Sequence, residues 1–520
     1  MKDIYCAYYT ESDDITSYMA NRLHVENSDL ILEPSAGEGI FIDEVLKNNS
    51  PAQIDALDIN KQAISILQVK YKNNPRVSVR QTDTLFDKEL DNYSTTDLLL
   101  KNSDTLLDKQ LDMFSQYGGH YDKVIGNPPY GAWQEYEKRD LLKKKYPGQY
   151  VKETYSLFLL RCISVLKMGG RLSFIIPDTF LFLNMHEKLR KLLLTSTKIE
   201  EILIFPSKFF PGVSFGYSNL SIITLEKCDR DTALNNKVRI IKGFKSSSEF
   251  ECVLRDNLPE HLKTYELLQY DVFVSENSRF IIAEDEDKSI IGVSDIKLGD
   301  VADIVTGFYS GDNKKFICAK NESVKGSKNY SIVDTKKIAE SQSLTGVEGV
   351  DEAYVPYVKS SSQYRYKRTE DEWFVRWDAS TVSFYNTNKK SRFQNSQFYF
   401  KSGIAIPMVK ANEIRATLMS KRVFDQSIVG IFPKDPNNLY YILALMNSDV
   451  INRLIHIINP TANNSSNYVK QLPFIAPAKN DKNYIDQLVE KILTLDPVAD
   501  YEEIMSLHIQ INKRIEKIYK

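Results

Sequence analysis

In this 520-residue chain the residue types best suited to chemistry are Asn127-Pro128-Pro129-Tyr130. An aromatic amine is a poor nucleophile because its lone pair is delocalised into the ring. The Asn127 side-chain oxygen and the Pro128 backbone carbonyl can each accept one N–H of such an amine. That pulls the nitrogen toward tetrahedral geometry and frees the lone pair for an electrophilic methyl carbon. The two prolines fix the backbone, and with it the direction of the acceptor carbonyl, which is electrostatic preorganisation. Tyr130 offers a ring face to a planar base. Taken alone, the tetrapeptide also fits a Pro-Pro turn after a strand.

Three earlier turns change that balance. Glu33-Pro34-Ser35-Ala36-Gly37-Glu38-Gly39 follows an apolar run, Leu30 to Leu32, and its glycines let backbone approach a ligand closely. Asp58 ends a second run, where an acid can accept the hydroxyls of a ribose. Asp83 follows a third, Val77 to Val79, placed to accept from an adenine amino group. A pyrophosphate would be repelled by Glu33, so the set suits a nucleoside without phosphates and favours S-adenosylmethionine over NAD. A tight strand-to-helix turn explains any one of them. Their order and spacing favour a ligand.

The elements that must position these residues alternate. Helical spacing at Ile64, Leu67 and Tyr71, and again from Tyr155 to Leu166, separates short apolar runs at 54–57, 121–125, 172–176, 202–205 and 220–225. Strand and helix alternating at this pitch predict an α/β unit with a parallel or mostly parallel sheet covered on both faces. After Glu226 the rhythm is lost, and helical periodicity returns near 439–458, 485–495 and 504–518. The expected division is a first domain over 1–235 and a mixed α+β domain over 236–520. That agrees with a length beyond what one core supports.

Apolar residues make up 42% and charged residues 26% of the chain, an ordinary globular balance. The five cysteines are scattered without a CxxC pair, and the six histidines form no HxH or HExxH pattern, so no metal and no disulfide framework are expected. No apolar run is long enough for a bilayer, and a cytoplasmic protein without membrane contact is the expectation. Formal net charge is −2, but residues 351–425 hold 13 Lys+Arg against 8 Asp+Glu, with 14 aromatic residues. That stretch fits a nucleic-acid surface and equally a Tyr-rich β-domain with solvated charge.

The order Tyr9-Thr10-Glu11, Leu32 to Gly39, Asp58, Asp83 and Asn127-Pro128-Pro129-Tyr130-Gly131, before a long carboxyl-terminal region, resembles the gamma-class (TaqI-like) N6-adenine DNA methyltransferases of restriction–modification systems. The resemblance covers roughly the first 226 residues. It implies a Rossmann-like class I S-adenosylmethionine-dependent methyltransferase domain, with Thr10, Glu33, Ser35, Gly37, Asp58 and Asp83 at the cofactor. It implies that Asn127, Pro128 and Tyr130 hold an adenine swung out of double-stranded DNA. Phe210, in Phe209-Phe210-Pro211-Gly212, matches the family's second aromatic, although a core phenylalanine explains it as well.

Thr306 to Phe316 and Leu472-Pro473 look like segments of the specificity domains of that family, which implies a target-recognition domain. Tyr364, Arg365, Lys367 and Arg368, with Lys389 and Arg392, are then candidates for phosphate or base contact. Solvated loop charge explains each about as well. No nuclease-like cluster precedes the methyltransferase motifs, so the expectation is a stand-alone modification enzyme with a separate cognate endonuclease. The tetrapeptide also resembles glutamine-N5 methyltransferases acting on release factors. A methyltransferase for protein glutamine or RNA is therefore the alternative, disfavoured by the long region after the last strand. A third reading, a non-catalytic platform, sits badly with intact Asp58, Asp83, Asn127 and Tyr130.

Overall fold

The computed structural model describes residues 12–94, 119–131, 136–210, 219–409, 413–459 and 463–520. It divides into two compact units, Met1–Ile282 and Ala283–Lys520.

The first unit is built on nine strands: β1 (Leu30–Glu33), β2 (Gln53–Asp58), β3 (Val77–Gln81), β4 (Tyr121–Gly126), β5 (Leu166–Pro177), β6 (Thr197–Pro206), β7 (Asn219–Lys227), β8 (Lys237–Lys242) and β9 (Lys263–Leu268). They lie in the order β3-β2-β1-β4-β5-β7-β6-β8-β9. Pairing is parallel from β3 across to β5, whereas β7 runs antiparallel between β5 and β6. Chain order reverses between β1 and β4, the place where open sheets of this kind receive ligands beyond the strand ends.

The expected boundary at 235 is corrected. β8 pairs with β6 and β9 pairs with β8, so two further strands complete the same sheet before the chain leaves the unit.

Local chemistry explains the flanking helices. Asn60 caps the helix Lys61–Lys70, its side chain accepting from the Gln62 amide at 2.9 Å. The helix Thr154–Val165 is apolar nearly all round, and every one of its residues is buried, as such a helix must be. Its one basic residue, Arg161, is anchored inside the unit through Nη2, which meets the Asp87 carbonyl at 2.8 Å and the Asp91 carboxylate at 2.6 Å.

The second unit holds β10 (Ala302–Thr306), β11 (Ile317–Ala319), β12 (Ser331–Ile332), β13 (Tyr354–Val358), β14 (Trp373–Arg376), β15 (Gly403–Pro407), β16 (Thr417–Met419), β17 (Val423–Phe424) and β18 (Ile428–Pro433). They form a four-stranded sheet, β10-β18-β15-β16, and a five-stranded one, β12-β11-β14-β13-β17. The helices Leu439–Asn447, Asp449–Ile458, Lys479–Thr494 and Tyr501–Tyr519 follow.

Most aromatic residues of the basic stretch point inward. Tyr357, Trp377, Tyr385 and Tyr399 share one buried cluster, and the Trp377 indole donates to the Ser343 carbonyl at 2.8 Å. Their abundance reflects core packing. Among the described residues no helix is long and apolar enough to cross a membrane.

Candidate active site

The loop after β1 turns sharply enough to need glycine twice. Gly37 and Gly39 have φ of 52° and 79°, a region where L side chains are strained. A Cβ on Gly39 would lie 2.8 Å from both Leu67 Cδ2 and the Tyr71 hydroxyl, so the helix Lys61–Lys70 can pack against this loop only while residue 39 is glycine. Tyr71 fastens the other side, donating to the Gly39 carbonyl at 3.0 Å and to Asp43 at 2.7 Å.

Asp58, at the end of β2, closes onto that loop. One carboxylate oxygen accepts from the Gly37 amide at 2.8 Å and the other from the Asn60 amide at 2.7 Å. Asp83, after β3, accepts from the Leu85 amide at 3.1 Å and pairs with Lys138 at 3.0 Å. Between them Thr84 donates to the Pro34 carbonyl at 2.5 Å from a buried position, tying the third loop to the first.

Glu33 is almost wholly buried, at 1% exposure, and its Oε2 has no hydrogen-bond partner among the described residues. Burial above all, then the nearby charges of Asp58 and Asp43, pushes its carboxyl well above the usual range. An unmatched buried carboxyl is costly, and a cationic or hydroxyl-bearing ligand would relieve it. The buried Glu33 carboxyl, with Asp58 and Asp83, suits a hydroxyl-bearing, positively charged nucleoside.

The loop after β4 adjoins the same place. Ser35 Oγ donates to the Asn127 carbonyl at 3.2 Å, and Thr154 Oγ1 donates to the Pro129 carbonyl at 2.6 Å. At the end of β4, Gly126 brings the backbone so near that an added Cβ would sit 3.4 Å from Pro34. Asn127 is half-buried, whereas Pro128 and Tyr130 are buried, Tyr130 with 0% exposure. A base can therefore reach the Tyr130 ring only after a rearrangement. Phe210, just beyond β6, is likewise buried and lies parallel to Phe205 at 6.4 Å.

The structure thus brings together Glu33, Ser35, Gly37, Asp58, Asp83, Asn127 and Pro128. Thr10 lies outside the described residues. Lys138, Thr84 and Thr154 are the fastenings that sequence reasoning missed. Thr84 adjoins a flagged acid, but nothing in the pattern marks Lys138 or Thr154.

In the second unit Lys367 and Arg368 of the first basic cluster are tied to backbone carbonyls of the fold. Lys367 donates to the Leu493 and Leu495 carbonyls at 3.0 and 3.3 Å, finishing the helix Lys479–Thr494. Arg368 donates to the Ser360 carbonyl at 2.6 Å, and burial lowers its pKa to about 10. Arg365 pairs with Glu413 at 2.8 Å and Tyr364 is half-buried. Lys389 and Arg392 are exposed; Arg392 reaches Gln426 at 2.8 Å and lies 5.9 Å from the Tyr309 ring centre.

Sheet order and loop geometry define a class I S-adenosylmethionine-dependent methyltransferase fold, and S-adenosylmethionine is the cofactor the acidic loops fit. Residues 52–210 match the family model of the Eco57I restriction-modification methylases. The chain is 27% identical over 322 residues to the type II methyltransferase M.HindII of Haemophilus influenzae, covering 58% of this chain and 53% of that one. It is 23% identical over 406 residues to the adenine-specific methyltransferase BrxX of Escherichia coli O9:H4, covering 76% of this chain and 31% of that one. The chain thus spans about half the length of M.HindII. Among solved structures it resembles a nuclease-deletion mutant of the type ISP restriction-modification enzyme LlaGI in complex with a DNA substrate mimic. The TM-score is 0.55 at 15% identity, over 94% of this chain and 47% of that one. The DrdV–DNA complex gives a TM-score of 0.53 at 12% identity, over 94% and 57% of the two chains.

Proposed function

We propose that the chain is a site-specific DNA methyltransferase of the gamma class that methylates the exocyclic N6 of an adenine. It is the modification activity of a restriction–modification system, and its partners are double-stranded DNA and a separate cognate endonuclease. The observation that carries this reading is the bond from Ser35 to the Asn127 carbonyl. It sets an amine-gripping loop beside the loop that suits a positively charged nucleoside.

S-adenosylmethionine supplies an electrophilic methyl group on a sulfonium when bound. The rest falls to the protein. Asp58 accepts ribose hydroxyls and Asp83 accepts from the adenine ring of the cofactor. Glu33 and Gly37 close the loop around it, with Thr10 assigned to the same site by resemblance alone. Asn127 Oδ1 and the Pro128 carbonyl accept the two N6 hydrogens of the target adenine. Tyr130 and Phe210 flank the base once their rings are uncovered, as an extruded base requires. The amine sheds its proton after transfer, so no residue need act as an obligatory base. The second unit reads the target sequence, with Lys389 and Arg392 as its outward cations. Lys367 and Arg368 bind backbone carbonyls of the unit itself.

Sequencing that detects modified bases, applied to DNA from cells expressing the chain, tests this. N6-methyladenine at one recurring sequence is the expected result. Unmodified DNA together with methylated protein or RNA would transfer the chemistry to another substrate.

A further inference from the structure

The second unit contains a cavity of about 320 Å³, at the small end of the range usual for small-molecule sites. Tyr364, Arg365, Arg415, Tyr501, Met505 and His508 are among its walls. They come from the loop at 363–366, the segment entering β16 and the first turns of the helix Tyr501–Tyr519.

The back wall is held rigidly. Tyr366 is buried with φ of 66°, a left-handed conformation that a bulky residue keeps only where its surroundings over-determine it. Here they do. Its amide donates to the Ala416 carbonyl and its carbonyl accepts from the Leu418 amide, both at 2.8 Å. Its hydroxyl shares a 2.8 Å bond with His508 Nδ1. His508 Nε2 in turn lies 3.2 Å from Asn512, which donates to Asp449 at 3.0 Å.

The charge of the cavity is cationic. Arg365 gives one terminal nitrogen to Glu413 at 2.8 Å, while its buried Nε has no hydrogen-bond partner among the described residues. Arg415 is exposed and gives one nitrogen to the Gln363 carbonyl at 2.9 Å. A guanidinium carries five donor hydrogens, so both arginines retain donors for an anion. Burial, then the charge of Arg365, holds the pKa of His508 down to about 4, and at neutral pH that wall is an uncharged ring. Beside the arginines lie two tyrosine rings and the Met505 thioether. An inorganic anion would leave the rings unused, and an uncharged aromatic would leave the guanidinium donors unmatched.

We propose that this cavity is a nucleotide site, with the phosphate on Arg365 and Arg415 and the base against Tyr364 and Tyr501. Arg matches phosphate with paired donors, and an aromatic face takes any base. The proposal goes beyond the methyl-transfer reading and lies wholly within the second unit. Its ligand is either a free mononucleotide or a nucleotide of a single strand.

The test uses the full chain saturated with S-adenosylhomocysteine, so that the nucleoside site of the first unit is filled. Deoxyadenosine 5′-monophosphate, a short 5′-phosphorylated single-stranded oligonucleotide and inorganic phosphate are each titrated by calorimetry. The same titrations are repeated on Arg415→Gln and Tyr501→Ala, whose side chains are exposed and whose folding is checked by circular dichroism. Saturable nucleotide binding is expected, weakened about tenfold by each substitution, with unchanged affinity for S-adenosylhomocysteine. Binding of the mononucleotide identifies a free ligand, and binding of the oligonucleotide alone identifies a strand. The proposal is overturned if neither nucleotide form binds, if both variants bind as the native chain does, or if inorganic phosphate binds as tightly as the nucleotide. Intact nucleotide binding in a chain that methylates no DNA would sink the methyltransferase reading and leave this one standing.

Discussion

Ser35 Oγ donates to the Asn127 backbone carbonyl at 3.2 Å, so one side-chain bond joins the loop after β1 to the loop after β4. Ser35 was expected on the cofactor side, yet its hydroxyl hydrogen is committed to Asn127. Removing it should disturb transfer more than binding. A net hydrogen bond contributes about 1 kcal/mol. Ser35→Ala should therefore lower the methylation rate by about five- to tenfold with cofactor affinity nearly unchanged. Asn127→Ala should abolish methylation, again with cofactor affinity retained. Single-turnover methylation beside calorimetric titration of S-adenosylhomocysteine separates the two quantities. Equal losses in both would show that Ser35 serves the cofactor.

Lys138 pairs with Asp83 at 3.0 Å, and both side chains are partly exposed. An adenine amino group seeking Asp83 must share that carboxylate or displace the ammonium. Such a pair contributes about 0–1 kcal/mol. Lys138→Met should then tighten cofactor binding by up to about fivefold and flatten its dependence on salt. Calorimetry at two ionic strengths measures both. Weaker binding in the variant would mean that Lys138 orients Asp83 and does not compete for it.

Asp178 follows β5 and is buried, with its carboxyl 3.2 Å from the Asn219 amide nitrogen. Burial raises its pKa to about 7, although Asn219 pulls the other way. The folded form therefore holds its proton over a window where the unfolded chain has lost it. Its contribution to stability is fully present below the ordinary carboxylate pKa. It is lost as pH rises through about 7, at a ceiling of about 1.4 kcal/mol per pH unit. Asp178→Asn has no proton to lose, so its advantage over the native chain should grow from pH 5 to pH 7.5. Urea unfolding of the first unit at the two values gives that difference, and a constant offset would remove Asp178 as its source.

How far the site could be read in advance depended on whether a residue's partner lies close in sequence. Glu33, Asp58 and Asp83 were legible because each stands where an apolar run breaks into a turn, and a parallel sheet puts such turns on one edge. The antiparallel course of β7 was not legible, because an apolar run such as Leu220–Leu225 carries no mark of direction. The unit boundary was missed for a related reason: the strand–helix rhythm is lost after Glu226, and only the pairing of β8 with β6 and of β9 with β8 shows that the sheet continues. Tyr130 was read as an open stacking face, but exposure is a tertiary property, and the ring is buried.

Lys367 and Lys389 carry the same charge in the same basic stretch, yet the structure gives them different work. Lys367 spends its ammonium on the Leu493 and Leu495 carbonyls, at the end of a helix where a cation is favourable, whereas Lys389 is exposed. Only a cation that meets a phosphate releases counterions, so only such a residue steepens the dependence of DNA affinity on salt. Lys389→Ala and Arg392→Ala should each lower that slope by about one and weaken binding alike across sequences. Lys367→Met should leave the slope unchanged and lower the stability of the second unit by about 1 kcal/mol. DNA affinity measured over a salt series, with a thermal melt of each variant, distinguishes them. A slope that falls for Lys367→Met but not for Lys389→Ala would move the DNA-facing surface to the other cluster and exchange the two roles.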